Sequence, residues 1–183
     1  MKLELGNFYK ILAPRPAVLI STIDARGRTN AAPFSFVMPV SRTPPLIAFA
    51  LAPQRHTLAN IRETREFVVN IAPEEILDEL WICGKSFPKG VSEIRESGLT
   101  ERKSKIVKAP GIEECIGWFE CTLEFEKEAG DHVIVVGRVL NAEVKDEFFR
   151  EGEFDLLKAK PLMHLGGENF AIPERIARPQ KSK

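Results

Sequence analysis

Cysteine, histidine and long apolar runs are all scarce in this 183-residue chain. The three cysteines, Cys83, Cys115 and Cys121, are odd in number and form no C-x-x-C pair, so a disulfide framework and a zinc knuckle both lack their ligands. Buried, inert thiols are expected instead. The three histidines, His56, His132 and His164, are too scattered to mark a metal site, and His164, between Met163 and Leu165, reads as a structural histidine. No apolar run approaches the roughly 20 residues that cross a bilayer, and MKLELGNFYKILAPR lacks a signal-peptide core. No membrane association is expected, and the expected compartment is the cytosol. The chain also lacks G-x-G-x-x-G, G-x-x-x-x-G-K-[ST], H-E-x-x-H and G-x-S-x-G, which removes the anchors of Rossmann, P-loop, zincin and hydrolase-elbow readings.

What is present is an ordinary globular composition, 44% apolar and 28% charged, with length enough for one substantial core. One domain over residues 1–183 is expected, with a short basic tail from about residue 173. Formal net charge is zero, so a nucleic-acid partner has no electrostatic support. The distribution is uneven. Residues 1–60 hold seven Lys/Arg against two Asp/Glu (+5), residues 61–172 hold 15 against 23 (−8), and residues 173–183 hold four against one (+3). The basic N-terminal third is the natural place for an anionic ligand, although a solvated basic face would give the same count.

Periodicity predicts a mainly β chain. PAVLISTID, the turn ARGR and the return TNAAPFSFVM read as strand, turn, strand, and LIAFALA as an apolar strand in the middle of the sheet. RHTLANIRETREFVVNIA predicts a short helix capped by Thr57 and then a strand. PEEILDELWICG predicts a helix closed by Gly84, and KSFPKGVSEIRESGLT a loop with a helical piece ending at Gly98. In GWFECTLEFEKEA, Phe119, Cys121, Leu123 and Phe125 alternate with Glu120, Thr122, Glu124 and Glu126, the pattern of a strand with one wet face. HVIVVGRVLNAEV returns as its partner, with Gly137 marking a bulge or a close backbone contact. Long hairpins with a few short helices point to an antiparallel β-barrel.

Two turns, NAAPFS and QRHT, flank LIAFALA. If neighbouring strand ends converge there, Asn30, Ser35, Arg55, His56 and Thr57 share one pocket. Arg55 offers charge-assisted donors, and Thr57 at a helix start places a hydroxyl and free N–H groups against a phosphate. The blander reading, with Thr57 only a cap and Arg55 only a solvated cation, stays open on spacing alone and is the weightier one there.

The ordered blocks RPAVLIST, NAAPFSFVMPVSRTPPLIAFAL, RHTLANIRETREFVVNI, GDHVIVVGRV and PLMHLGG resemble the flavin reductase-like, FMN-binding split-barrel family that includes flavoredoxins. The resemblance spans about Arg15 to Ile172. It implies a split β-barrel that binds FMN and takes a hydride from NADH or NADPH at the flavin N5. It implies that Asn30, Ala31, Pro33 and Ser35 line the flavin, that Ala50 and Leu51 form part of its wall, and that Arg55, His56 and Thr57 bind its phosphate. His132, in GDH, matches a position near the nicotinamide and is the implied catalytic residue. The resemblance further implies a homodimer, with a redox partner protein among the acceptors. An FMN-holding electron carrier and a non-catalytic FMN-binding or interaction module are the alternatives. The chain departs from the family at His164, where an aromatic residue is frequent, and near Glu93 and Ile94, where a lysine is common.

Overall fold

In the computed structural model, which describes residues 2–180, the β-branched run Val18–Ile23 forms β1 and returns as β2, Thr29–Phe34. Gly27 takes the left-handed position of the turn between them (φ 79°), and the Asp24 carboxylate accepts from the backbone N–H groups of Arg26 and Arg28. The chain continues through β3 (Val37–Arg42), β4 (Pro45–Leu51), α1 (His56–Thr64), β5 (Glu66–Ile71), α2 (Leu77–Cys83) and α3 (Glu93–Glu96). Then come the long hairpin β6 (Gly117–Ala129) and β7 (His132–Val144), α4 (Leu156–Ala159) and a terminal hairpin, β8 (Met163–Gly166) and β9 (Asn169–Ala171). Strands β1 to β7 form one antiparallel sheet in the order β2-β1-β5-β6-β7-β4-β3.

That order forces the sheet to curl. Strands β2 and β3 are its opposite edges, yet only Ser35 and Phe36 separate them in sequence. Three peptide steps span at most about 10 Å, so the two edges lie side by side and the sheet closes into a barrel split at one seam. Ala50 N–H donates to Phe36 C=O (2.9 Å), which carries the β3–β4 ladder one residue into the linker. The prolines follow the same logic. Pro33 and Pro39 lie on the two edge strands, where a missing N–H removes no interior ladder bond.

Alternation along the strands splits the core in two. Val18 and Ile20 join Phe49, Phe67, Val69, Leu123 and Val135 inside the barrel, with Leu58 and Ile61 of α1 packed into the same cluster. Leu19, Val68 and Trp118 face outward beneath Leu80 of α2, Ile94 of α3 and the loop residues Val107 and Ile112. Gly137 carries the bulge predicted for it, a register shift in the β6–β7 ladder. A Cβ there would collide with the ring of Phe67.

Four expectations are corrected. TNAAPFSFVM is not one return strand but two, β2 and the start of β3, broken at the seam. LIAFALA is not in the middle of the sheet; β4 lies next to the edge, and its buried residues face the barrel because the sheet curls. The wet face of β6 is not wholly wet, since the loop after β-paired Arg102 folds over it. Glu120, 1% exposed, accepts from the backbone N–H groups of Lys105 (2.9 Å), Ile106 (2.6 Å) and Val107 (3.1 Å) and from Asn141 Nδ2 (3.0 Å). Conversely Phe125 is exposed, because β5 pairs with β6 only as far as Thr122. Finally, Thr57 does not cap α1. The cap position belongs to Arg55, with no side-chain hydrogen bond.

Candidate functional site

The seam, the end of β4 and the start of α1 meet at one place. The first turn of α1 contains no acidic residue and no capping side chain. Its Leu58 N–H reaches Arg55 C=O (3.1 Å), while the N–H groups of His56 and Thr57 have no partner among the described residues. These two orphan N–H groups, at the positive end of the helix dipole with nothing capping them, suit an anion.

Beneath this turn lies a buried polar network. Thr57 Oγ1 donates to Asn30 Oδ1 (3.1 Å), as does Thr22 Oγ1 (3.3 Å), and Asn60 Nδ2 donates to Thr22 Oγ1 (3.0 Å). Asn30 Nδ2 donates to Glu93 Oε1 (2.9 Å), and Ala31 N–H to Glu93 Oε2 (3.2 Å). The network ties β1, β2, α1 and α3 together, so the position of α1 is set by side chains of the strands below it. Burial pushes the Glu93 carboxyl above the usual carboxylate range, against the lowering by the N–H groups of Glu93 and Ala31 and the Asn30 amide.

Above the network is a polar cavity of about 180 Å³, walled by Asn30, Ala32, Arg55, His56, Thr57, Lys85 and Glu93 among others. Arg55 is exposed and makes no ion pair among the described residues. Its side chain also borders a second hollow of about 250 Å³, lined by Pro33, Ser35, Phe36, Ala50, Leu51, His132 and His164. One end of the combined site is cationic and rich in donors. The other is walled by aromatic and small apolar groups.

Two histidines shape the apolar end. His164 Nε2 lies 3.1 Å from Gly167 C=O, a pure acceptor, so Nε2 carries the proton and Nδ1 accepts from Ser35 Oγ at 2.9 Å. The Ser35 hydroxyl proton is thereby committed, and only its lone pairs face the hollow. The structural reading of His164 holds, and the same side chain also lines the site. His132 stands at the β6–β7 turn with Nδ1 on Asp131 Oδ1 (2.8 Å) and its ring 5.6 Å from that of Phe36. The hydrogen bond from His132 holds the Asp131 carboxyl below its usual range, and His132 Nε2 is left for a ligand.

Of the residues singled out in the sequence, Asn30, Arg55, His56 and Thr57 border the polar cavity and Pro33, Ser35, Ala50, Leu51, Arg55 and His132 the second hollow. Ala31 borders neither. Its side chain is fully buried in the outer core, and Ala32, one residue on, faces the cavity as strand alternation requires. Asn30 is reached mainly as a support, since both ends of its amide are engaged by protein groups. Sequence reasoning missed Lys85, Tyr9, Arg15 and Phe36, and it marks Glu93 only as a departure from the family, not as a wall of the cavity. Lys85 follows the Gly84 helix stop and is readable as a loop cation; nothing in the sequence signals the burial of Glu93, because a glutamate in the first turn of a helix is usually solvated.

Residues 11–172 match the flavin reductase like domain. A flavin reductase of Pseudomonas putida is 30% identical over 144 residues, 76% of this chain and 81% of that protein. Nitrilotriacetate monooxygenase component B from Bacillus cereus superposes with a TM-score of 0.88 at 26% identity, covering 97% of this chain and 95% of that one. Flavoredoxin of Desulfovibrio vulgaris shares the fold, with a TM-score of 0.85 at 22% identity over 100% of this chain and 98% of its own. The split barrel, the cationic helix start at its seam and the match over most of the chain lead to one conclusion: the chain belongs to the flavin reductase-like family.

Proposed function

We propose that the protein binds FMN and acts as an NAD(P)H-dependent flavin reductase or flavoredoxin-like oxidoreductase. The observation that carries this reading is the two-ended site joined at Arg55. A donor-rich cationic cavity at an uncapped helix start opens beside an aromatic-walled hollow, the polarity that a phosphate on one end of a planar ring system demands.

The residues fit the cofactor. Arg55 and the N–H groups of His56 and Thr57 hold the phosphate, with Lys85 adding charge. Ala50 and Pro33, small or rigid, let the ring approach the backbone, and Ser35 offers lone pairs to a ligand donor. His132, with Nδ1 held by Asp131, presents Nε2 to a nicotinamide at the open face and orients it. FMN, when bound, supplies the hydride-accepting chemistry. Exposed apolar side chains around one hollow, Phe8 and Leu12 near the N-terminus and Phe36 and Met38 at the seam, support pairing as a homodimer. No described helix is long and apolar enough to cross a membrane.

Titration of the purified protein with FMN, followed by anaerobic addition of NADH and then NADPH in a stopped-flow instrument, tests the reading. It predicts a flavin spectrum perturbed by binding and direct bleaching by one or both nicotinamides. A protein that leaves the FMN spectrum and fluorescence unchanged would sink it.

A further inference from the structure

Glu93 is the one acidic side chain among those that line the polar cavity; the others that carry charge, Arg55, Lys85 and, when protonated, His56, are cations. It is 5% exposed, and neither of its oxygens meets a cation: Oε1 accepts from the Asn30 amide and Oε2 from Ala31 N–H. No lysine or arginine lies within ion-pair distance of it among the described residues. Two donors converging on two oxygens suit a carboxylate better than a carboxylic acid, whose hydroxyl would need an acceptor. At a pH well above the raised value of this carboxyl, the cavity thus combines an open helix N-terminus and free cations with a buried negative charge on its wall.

We infer that Glu93 is a specificity-determining counter-charge, which weakens the hold of this cavity on phosphate and makes a phosphate-bearing flavin exchangeable rather than tightly retained. This rests on the FMN reading above. The physical reason is that a like charge on a shielded wall is poorly screened, so it subtracts from the attraction that Arg55, Lys85 and the α1 N–H groups provide. A ligand with the same ring but no phosphate does not feel it.

The test is Glu93→Gln, which removes the charge at nearly constant shape. Its amide accepts from Ala31 N–H through oxygen and donates through nitrogen to Asn30 Oδ1, once the Asn30 amide turns over; the hydroxyls of Thr57 and Thr22 can then accept from Asn30 Nδ2. At pH 8, fluorescence titrations with FMN and with riboflavin, and melting temperatures in inorganic phosphate against chloride at equal ionic strength, are compared for the two proteins. The expected result is FMN binding at least fivefold tighter in the variant, riboflavin binding within twofold of the parent, and a larger phosphate-induced rise in melting temperature. Unchanged or weaker FMN binding overturns the inference and leaves Glu93 as a support for Asn30. Equal tightening of both flavins overturns it too, because the effect is then on the ring. If neither flavin binds either protein, the FMN reading fails by itself, and the phosphate melts alone decide the role of Glu93. Should Glu93→Gln fold poorly, Glu93→Ala carries the same three expectations.

Discussion

The hydroxyl of Thr57, in the first turn of α1, donates to the side-chain oxygen of Asn30 on β2 at 3.1 Å. This bond couples the helix start to an edge strand of the barrel and fixes where two unpartnered N–H groups point. Thr57→Val keeps the shape and removes the donor. It should lower stability by about 1 kcal/mol and loosen FMN several-fold through misplacement of the turn. The double variant Arg55→Ala, Thr57→Ala, which also deletes the cation, should weaken FMN by roughly tenfold or more. Fluorescence titration of both variants, with circular dichroism to confirm folding, decides it; full FMN affinity in a folded double variant rules out the phosphate assignment.

His132 stands at the other end of the site, 5.6 Å ring to ring from Phe36 and hydrogen-bonded to Asp131. It lines the same hollow as Arg55 but makes no hydrogen bond to Arg55, His56 or Thr57 among the described residues. His132→Ala should therefore leave FMN affinity within about twofold while slowing flavin reduction by NADH or NADPH on the order of tenfold. A stopped-flow measurement at saturating FMN separates the two effects, and equal losses in binding and reduction would argue against a nicotinamide role.

Glu120 makes acid stability a local matter. Burial raises its pKa, but the backbone N–H groups of Lys105, Ile106 and Val107 and the Asn141 amide lower it further, so the net shift is downward. A depressed folded value means a contribution that is full above the unfolded carboxyl value, about 4.3, and lost as pH falls through the folded one. Glu120→Gln turns an amide N–H₂ toward converging donors. Urea unfolding should show the variant less stable by about 1–3 kcal/mol at pH 7, and the gap between the proteins should narrow below about pH 4.

Gly137 is kept small by Phe67. Gly137→Ala should cost about 1–3 kcal/mol by overpacking the barrel, and Phe67→Leu in the same chain should recover part of that loss. A double-mutant cycle by thermal or urea unfolding gives the coupling; a cycle with no coupling would mean that the bulge, rather than the ring, requires glycine.

The elements were legible where period and punctuation agreed. The β6–β7 hairpin announces itself through alternation around Gly130 and Asp131, and α2 through its apolar spacing and its closing Gly84. The seam was not legible, because local pattern cannot distinguish a proline-bearing strand that continues from one that leaves one edge of a sheet for the other. Thr57 reads as a cap in the sequence because hydroxyls at helix starts usually serve that way; only the tertiary placement of Asn30 turns it inward. The burial of Glu93 and Glu120 was not legible for a shared reason. Sequence reads a glutamate as wet, and whether backbone N–H groups from a distant loop will converge on it is decided by the fold. At the site, the polar end is readable as residue types in two turns, whereas the sequence does not show that Ala31 turns its side chain into the outer core and Ala32 toward the cavity, because the face of a strand that meets a cavity is not marked in the chain.

The seam also sets a rule for sequence length. Ser35 and Phe36 lie where a loop would be, and loops ordinarily accept insertions and deletions. Here the linker joins two strands whose registers are each fixed, β2 against β1 and β3 against β4. One residue fewer would leave too little chain to cross the seam and would favour a one-step slip, which turns a whole strand over and exchanges its inner and outer faces. The part of the molecule that looks most like a variable connection is therefore held to a minimum count, and diversity in this site comes from substitution within the seam rather than from its shortening.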